Sequence, residues 1–416
     1  MDVRAEAKSA RAASRVLAHA ETARKNGVLN ALAELLERER ESVLHANAKD
    51  MESARASGLS GPKLKRLELG TTGLDRLAAG LRHVSALPDP VGQVTRDVRM
   101  ESGLHVRKVR SPLGVVAMIY EARPGVTLDA FALCLKAGNA CILRGGKEAQ
   151  HSNAALAALA RRALEAHELP VQALVNLSGT GREVLETLLT LTAEVDLVIP
   201  RGGVELITFV HERSRIPTIQ HFRGVCHVFV DESAELESAV KVCVSAKTSA
   251  PATCNAAECV LVHKNVADAM VPALAEAFRA AGVEVRGSPL VRALAPHVSQ
   301  AGPEDFGREF LDLVVAMRIV TDVAEAIEHI ARYGSNHTEA ILTRDLGPGG
   351  AAERFVREVD ASCVLVNAST RFNDGFELGL GAEIGISTSR VHAYGPMGLE
   401  ELTTQRWVVY GDGQTR

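Results

Sequence analysis

Residues 113–120, LGVVAMIY, form a run with no charged side chain and no alternation of polar and apolar residues. This pattern is typical of a strand that is buried on both faces of a parallel sheet. After the run, the apolar period changes to that of helices and then of further short apolar runs. Because strands that alternate with helices pack as a sheet covered by helices, the chain is predicted to fold into doubly wound α/β layers.

Further candidate elements extend this alternation along the chain. Strands are expected at 140–143, 173–177, 197–199 and 228–230, and then at 258–262, 313–318, 339–342 and 363–366. Helical patterns at 152–167 and 181–190 separate strands of the first group. The length of 416 residues is enough for two or three domains. We therefore expect two doubly wound α/β domains.

Two regions fall outside this alternation. From Val3 to about Ala56 the apolar residues follow a helical period, which predicts helices whose role is packing. Residues 96–100 and 104–110 alternate on either side of Glu101-Ser102-Gly103, which is the composition of a hairpin. Residues 406–410 predict one more strand. We expect the hairpin to project as an arm that serves an oligomer interface.

The charge balance disfavours several classes of partner. The chain has 47 Lys and Arg against 51 Asp and Glu, a formal net charge of −4, and only 4% aromatic residues. It has no evident basic patch to collect polyanions, and few rings for base stacking, so we expect neither nucleic acid nor membrane as a partner. The first residues lack the apolar core of a signal peptide, and no run approaches about 18 uncharged apolar residues. We expect a cytoplasmic protein.

The seven cysteines are an odd number without a CxxC pair, so neither a disulfide framework nor a metal site is expected. Cys254 stands among small polar residues before a strand and is predicted to be an exposable thiol. Backbone amides and the dipoles of Thr253 and Asn255 could stabilise a thiolate there. The alternative is a structural thiol, the usual role of a lone cysteine. The core is predicted to contain Cys134, Cys141, Cys226, Cys243 and Cys363.

No conventional phosphate-loop fingerprint occurs, but three glycine-bearing loops each join an apolar strand to a helix, at 143–148, 177–182 and 199–203. The first holds two glycines between Arg144 and Lys147. Phosphates bind where strand ends meet helix N-termini, and the two cations add to that attraction. Each loop alone could be a tight turn. Three of them together favour one shared cleft.

Several motifs together resemble one family. They are SPLGVVAMIYEARP (111–124), ILRGGKE (142–148), VIPRGG (198–203), CNA (254–256), YGSNHTEA (333–340) and GFELGLGAEIGI (375–386). The sequence resembles the gamma-glutamyl phosphate reductases (glutamate-5-semialdehyde dehydrogenases), a branch of the aldehyde dehydrogenase superfamily, along nearly its whole length. The resemblance implies NADPH-dependent reduction of L-glutamate 5-phosphate to the semialdehyde with phosphate release, in proline biosynthesis.

The resemblance also implies an architecture. It is aldehyde dehydrogenase-like, with two doubly wound α/β domains and a small β oligomerisation arm. The expected ranges are 1–95 and 112–230 for the NADP-binding domain, 231–390 for the catalytic domain, and 96–111 with 391–416 for the arm and the C-terminal return. A homo-oligomer is implied, and glutamate 5-kinase is a possible partner.

Individual roles follow by position from the same resemblance. The catalytic positions are Cys254, as nucleophile, and Asn255. The positions expected at the cofactor are Arg144, Gly145, Gly146, Lys147, Gly179, Gly181, Gly202, Gly203 and Glu309. The positions expected at the substrate are Arg201, His221, Asn336, His337 and Arg371. Guanidinium groups suit its carboxylate and phosphate, although each could instead form a surface ion pair.

Three departures from related patterns bear on the chemistry. Hydrolytic aldehyde dehydrogenases have a Glu base where this chain reads PTIQHFRGVCHV (217–228), which has no carboxylate. Without a base to activate water, a thioester is expected to exchange with phosphate rather than hydrolyse. Hydrolytic aldehyde dehydrogenases also add an Asn side chain as an oxyanion donor, but the equivalent stretch here reads YEAR (120–123). The resembling family commonly has Gln-Arg before the proline of the cysteine loop, whereas here Ser249-Ala250 precede Pro251. The alternatives are another acylating reductase, acting on an acyl-CoA or a different acyl phosphate, and a catalytically silent α/β binding protein.

Overall fold

The computed structural model describes residues 2–59, 61–177 and 181–416, which form two compact units. The first contains Met1–Gln220, Gly379–Gly385 and Met397–Arg416, and the second contains His221–Leu378 and Ile386–Pro396. The sequence placed the first boundary after residue 230, ten residues later. The difference arises because the strand Cys226–Val230 pairs within the sheet of the second unit.

Nine helices belong to the described part of the first unit. They are α1 (Val3–Leu17), α2 (Thr22–Arg38), α3 (Arg40–Ala56), α4 (Gly61–Leu67), α5 (Thr71–Ala86), α6 (Val126–Lys136), α7 (Gln150–Ala166), α8 (Arg182–Leu188) and α9 (Val204–Arg213). Helix α1 begins after Asp2, whose carboxylate accepts from the backbone N–H groups of Arg4 and Ala5. The expected helical region up to residue 56 is confirmed, as α1 to α3.

The first unit contains a parallel sheet at its centre. The strands up to residue 201 are β1 (Val94–Arg99), β2 (His105–Pro112), β3 (Val115–Tyr120), β4 (Ala140–Gly145), β5 (Leu174–Asn176) and β6 (Leu197–Arg201). The sheet order is β5-β4-β3-β6, and all six residues of β3 are buried, as its composition predicted. Tyr120 is in register with Gly145 on one side and Arg201 on the other. The loops after β3, β4 and β6 therefore leave the sheet at the same edge.

The second unit is built on a seven-stranded parallel sheet. Its strands are β7 (Cys226–Val230), β8 (Ala257–His263), β9 (Glu284–Gly287), β10 (Ser299–Gln300), β11 (Val314–Val320), β12 (Thr338–Leu342) and β13 (Cys363–Val366), in the order β10-β9-β11-β8-β7-β12-β13. Its helices are α10 (Leu236–Thr248), α11 (Ala267–Ala280), α12 (Pro289–Leu294), α13 (Val323–Tyr333) and α14 (Ala351–Glu358). Val228 packs into one core with α10 to α12, and Phe229 packs on the opposite face with α13 and α14. Both faces of the sheet are thus covered, as a doubly wound fold requires.

The expected hairpin is present. Strands β1 and β2 pair antiparallel, and Gly103 in the turn has a φ of +84°, which a residue with a side chain rarely adopts. After the short strands β14 (Gly385–Ser387) and β15 (Gly395–Met397), the last strand, β16 (Thr403–Tyr410), pairs antiparallel with β2. No helix among the described residues has the length and apolar character needed to cross a membrane.

Candidate active site

Cys254 lies on the loop between α10 and β8 and is partly exposed, as its polar surroundings predicted. The only other cysteine that is not buried is Cys363, which the sequence placed in the core. Cys363 is the first residue of β13, and that strand is at the edge of the sheet, where one side lacks a neighbouring strand. Burial raises the pKa of Cys363 to about 11. Cys363 is therefore a protonated and poorly nucleophilic thiol at neutral pH.

The Cys254 loop packs against Gly224, which was not predicted from the sequence. A Cβ atom on Gly224 would lie 1.8 Å from the carbonyl oxygen of Cys254, so only glycine fits against this loop. The thiol of Cys226 donates to the same oxygen at 3.2 Å. The only signal in the sequence was a glycine just before an apolar run, which is also the signal of an ordinary turn.

Asn255 anchors the loop from the other side. Its side chain is buried, with Nδ2 donating to the carbonyl oxygen of Asn373 at 2.9 Å and Oδ1 accepting from the Thr253 hydroxyl at 3.0 Å. These contacts hold the residues before and after Cys254 in one conformation. In this structure Asn255 anchors the loop, and its expected catalytic role stays a prediction.

Arg371 brings a positive charge to the same loop. Its Nη1 atom donates to the Thr253 hydroxyl at 2.9 Å, next to the nucleophile in sequence. Within the described part of the chain, no carboxylate forms an ion pair with Arg371, whereas Arg318 and Arg354 of the same unit each pair with a glutamate. A guanidinium that is not neutralised beside a nucleophile is suited to an anionic substrate.

Two histidines surround the thiol. The ligand atoms of His221, Cys254 and His337 all lie within 4.8 Å of one another, although the residues are up to 116 positions apart. His221 Nδ1 lies 2.9 Å from the carbonyl oxygen of Ile386, and His337 Nδ1 lies 2.7 Å from the Thr338 hydroxyl. Because a carbonyl oxygen can only accept, the proton of the neutral His221 ring is on Nδ1. Its Nε2 atom is then the basic nitrogen.

Two further predicted residues, Asn336 and Glu309, form hydrogen bonds within the second unit. Asn336 has a φ of +58°, and its Nδ2 atom donates to the carbonyl oxygen of Asp360 at 2.8 Å. Glu309 accepts from the backbone N–H of Gly224 at 2.8 Å, and burial raises the pKa of this carboxyl group. In this structure Glu309 supports the glycine beneath Cys254; its expected contact with a ribose stays a prediction.

The glycine loops of the first unit surround a cleft of about 430 Å³. Its walls include Tyr120, Glu121, Arg144, Gly146, Lys147, Glu148, Gly181, Arg182 and Leu206. A Cβ atom on Gly202 would lie 2.7 Å from the carboxyl carbon of Glu121, whose Oε1 accepts from the N–H of Gly203 at 2.9 Å. Residues of the first two glycine loops line one cleft, as expected, while Gly179 lies outside the described residues. Glu121 and Arg182 also line the cleft and were not predicted from the sequence.

Arg201 ends β6 in the first unit. A Cβ atom on Gly385 would lie 2.5 Å from Arg201 Nη1, so the guanidinium packs on the backbone of that glycine. Its expected role toward the substrate stays a prediction.

One doubly wound unit carries glycine loops at a sheet edge, and the other carries a partly exposed thiol. These are the features of a class of nicotinamide-dependent oxidoreductases. The model of the aldehyde dehydrogenase family matches residues 1–305 of the chain. The chain belongs to this family.

Full-length relatives narrow the assignment. The chain is 53% identical over 420 residues to a gamma-glutamyl phosphate reductase of Anaeromyxobacter sp. (strain Fw109-5), covering all of this chain and 97% of that one. It is 51% identical to the enzyme of the same name from Xanthomonas campestris pv. campestris (strain B100), with both chains fully covered. The crystal structure of gamma-glutamyl phosphate reductase from Thermotoga maritima superposes with a TM-score of 0.97 at 43% identity, again over both whole chains. Within the aldehyde dehydrogenases, the chain is a member of the gamma-glutamyl phosphate reductase family.

Proposed function

We propose that this protein reduces L-glutamate 5-phosphate to L-glutamate 5-semialdehyde with release of phosphate, a step of proline biosynthesis, and that NADPH is the reductant. The observation that carries the proposal is the surroundings of Cys254. A partly exposed thiol lies between two histidines, His221 and His337, and beside the cation Arg371. This set suits nucleophilic attack on an anionic acyl donor.

The first step removes a proton from the Cys254 thiol, and the basic Nε2 atom of His221 is placed to receive it. The Sγ atom then forms a bond to the carbonyl carbon of the acyl phosphate. The bond from that carbon to the phosphate oxygen breaks, and phosphate leaves with its electron pair. Arg371 stabilises the departing charge, and a thioester on Cys254 results.

The thioester is next reduced rather than hydrolysed. The segment 217–228, which carries His221 and Gly224, contains no carboxylate to activate a water molecule. When bound, the dinucleotide supplies a hydride to the thioester carbon. The resulting oxyanion then re-forms the carbonyl bond as the C–S bond breaks, which gives the aldehyde and returns the Cys254 thiolate, and the backbone N–H of Cys254 is the proposed oxyanion donor.

The first unit fits a dinucleotide. Gly145 ends β4 and Gly146 follows it, Gly181 precedes α8, and Gly202 and Gly203 precede α9, so backbone can approach a ligand closely at each strand end. We propose that Arg144 and Lys147 bind the 2′-phosphate of the adenosine ribose, that Gly179 and Gly181 contact the dinucleotide and that Gly202 and Gly203 contact the nicotinamide half. Lys147 is exposed and free to reach a phosphate, whereas Arg144 is half-buried.

We further propose a homo-oligomer that is formed through the arm sheet β1-β2-β16. Five apolar side chains of this sheet and its hairpin connection are about half exposed: Val94, Met100, Trp407, Val409 and Tyr410. Sedimentation of a W407E/V409E variant should give smaller particles than the wild type, and L346E, at an exposed leucine of the second unit, is the matched control. Unchanged particle size for W407E/V409E would exclude this interface.

Two biological proposals follow from the chemistry. A labile acyl phosphate is best received directly from the kinase that makes it, so glutamate 5-kinase is a proposed partner, to be tested by co-sedimentation. Seven cysteines without a disulfide suit a reducing compartment, which supports the cytoplasm as the site of action.

The reverse reaction is the decisive assay. Semialdehyde should reduce NADP only when phosphate is present, and Cys254→Ala should abolish this while leaving the circular dichroism spectrum unchanged. Replacement of phosphate by coenzyme A with equal rates would instead identify an acyl-CoA reductase. In parallel, iodoacetamide should label Cys254 before Cys363, the other thiol that is not buried. Equal, slow labelling of both thiols with no turnover would favour a silent binding protein.

A further inference from the structure

The group around the nucleophile has the composition of a metal site as well as that of a catalytic one. His221, Cys254 and His337 offer two imidazole nitrogens and one sulfur, all within 4.8 Å of one another. Zn²⁺ is held by mixed sets of histidine and cysteine ligands in known sites, with bonds of about 2.0 Å to nitrogen and 2.3 Å to sulfur. We propose that these three residues bind one Zn²⁺ ion, which blocks the thiol reversibly.

The second contacts of both histidines favour this use. Histidines that bind metals usually donate their other ring nitrogen to a carbonyl, a carboxylate or a hydroxyl group, which fixes the tautomer and the ring orientation. His221 Nδ1 contacts the Ile386 carbonyl oxygen, and His337 Nδ1 contacts the Thr338 hydroxyl. His221 therefore presents Nε2 as the nitrogen that can ligate, and His337 does so when its Nδ1 donates to the hydroxyl; the two ring centroids lie 5.3 Å apart in an edge-to-face arrangement.

Only a small contraction is needed. In a tetrahedral site the bond lengths given above place neighbouring ligand atoms about 3.3–3.5 Å apart, against separations of up to 4.8 Å in this structure. His221 and Cys254 are partly exposed, so their side chains can adjust while the buried His337 stays in place. Partial exposure also provides a path for the ion and leaves a fourth position for water. This is the open type of zinc site.

A second group of similar composition provides an internal comparison. His227, Cys259 and His329 also lie within 4.8 Å of one another, but all three are buried. His227 Nδ1 is bonded to Glu339 at 3.0 Å inside the sheet. An ion would have to cross the packed core to reach this group, so we expect uptake at Cys254 and not at Cys259.

Binding of Zn²⁺ would release a proton from the thiol without any change of oxidation state. The Cys254 thiol releases its proton to the buffer, a bond forms between Sγ and the ion, and one zinc-bound water is displaced for each ligand. With its lone pair on the ion, Sγ cannot attack an acyl group. The inference concerns the free protein and does not depend on which substrate the protein reduces.

Cobalt(II) is the probe, because its bond to a thiolate gives a near-ultraviolet charge-transfer absorption. The reduced, chelator-treated full chain should take up one equivalent of cobalt with this band, and excess Zn²⁺ should displace it. The band should be lost in Cys254→Ala, and the affinity should fall at least about 10-fold in His221→Gln and in His337→Gln. The controls Cys363→Ser and His329→Gln should bind as the wild type does.

A second readout protects the test from misfolded variants. Zn²⁺ should slow the alkylation of Cys254 in the wild-type protein, and a chelator should restore the rate. The inference is overturned if the chain takes up no cobalt, if the thiolate band persists in Cys254→Ala, or if both histidine variants bind as tightly as the wild type. Because no substrate is present, these results are independent of the reverse assay of the proposed activity.

Discussion

Gly224 lies directly against the carbonyl oxygen of Cys254. A Cβ atom at this glycine would be 1.8 Å from that oxygen, far inside van der Waals contact. The N–H of Gly224 is held by Glu309 at 2.8 Å. The backbone of the Cys254 loop is thus set by a glycine and the half-buried acid Glu309 behind it. The position of the thiol depends on residues that need not touch the substrate.

Gly224→Ala should therefore displace the Cys254 loop. We expect kcat/KM to fall about 100-fold, because a shift near 1 Å of a reacting group costs roughly that much. The measurement is steady-state kinetics of the reverse reaction. Gly347→Ala in the same unit is the matched control, since nothing lies within 4 Å of a Cβ atom at that position. Equal activity of the two variants would show that Gly224 does not position the loop.

The strands themselves were predicted from the sequence better than the sheet in which each strand pairs. The apolar run of β3 and the change of period after it identify a buried strand from local residues alone. The strand expected at 228–230 has the same character, and it pairs in the sheet of the second unit. A strand buried on both faces reads alike in either parallel sheet, because its pairing is set by topology and not by its own residues.

The site shows the same limit. Cys254 could be found from its short polar surroundings, whereas its contact with Gly224 joins residues 30 positions apart and leaves no periodic signal. His221 and His337 were placed together by family resemblance only. The structure adds the reason for their proximity, because β7 and β12 are neighbouring strands and the two histidines stand just before them.

Arg371 should control substrate affinity. Because it donates to Thr253 and has no ion-pair partner in the described chain, its charge is available to an anion. We expect Arg371→Gln to raise the KM for phosphate in the reverse reaction at least about 10-fold, as for a lost charge-assisted hydrogen bond. Arg371→Lys should recover part of the loss. The control is Arg354→Gln, at an exposed arginine paired with Glu358, and a KM equal to that of this control would exclude the role.

Lys147 should determine the preference for NADPH over NADH. The side chain is exposed at the edge of the cleft, where a single interaction with a phosphate is worth about 1.5–3 kcal/mol. Lys147→Ala should raise the KM for NADPH about 10-fold and leave the KM for NADH unchanged. Lys264→Ala, at another lysine beyond the cleft lining, is the control. A parallel rise for both nucleotides would mean that Lys147 does not distinguish them.

The buried pair Lys247–Glu258 should behave unlike a surface ion pair. Its atoms are 2.6 Å apart, both side chains are fully buried, and they belong to the elements before and after the Cys254 loop. We expect Glu258→Gln to cost about 3–5 kcal/mol, because it leaves the Lys247 charge without a partner. The double variant K247M/E258Q should recover much of that loss in urea unfolding. Without such recovery, the damage would come from packing rather than charge.

His227 and Glu339 should make stability depend on pH. Burial alone would lower the pKa of His227, but the charge and hydrogen bond of Glu339 outweigh it and raise the pKa to about 10. Cys259 and His329 also face this ring, and the pKa of Glu339 is raised by burial. Because the folded state holds a proton that the unfolded chain releases near pH 6.5, the contribution is full below that pH and is lost as the pH rises toward 10.

The free energy of unfolding should therefore fall between pH 7 and 9, by at most about 1.4 kcal/mol per pH unit. The double variant H227Q/E339Q removes both titrating groups, so its urea-unfolding midpoint should change less over this range. His297→Gln, at an exposed histidine of the same unit, should keep the slope of the wild type. A double variant with the wild-type slope would place the titrating group elsewhere, since only the loss of this pair can flatten the profile.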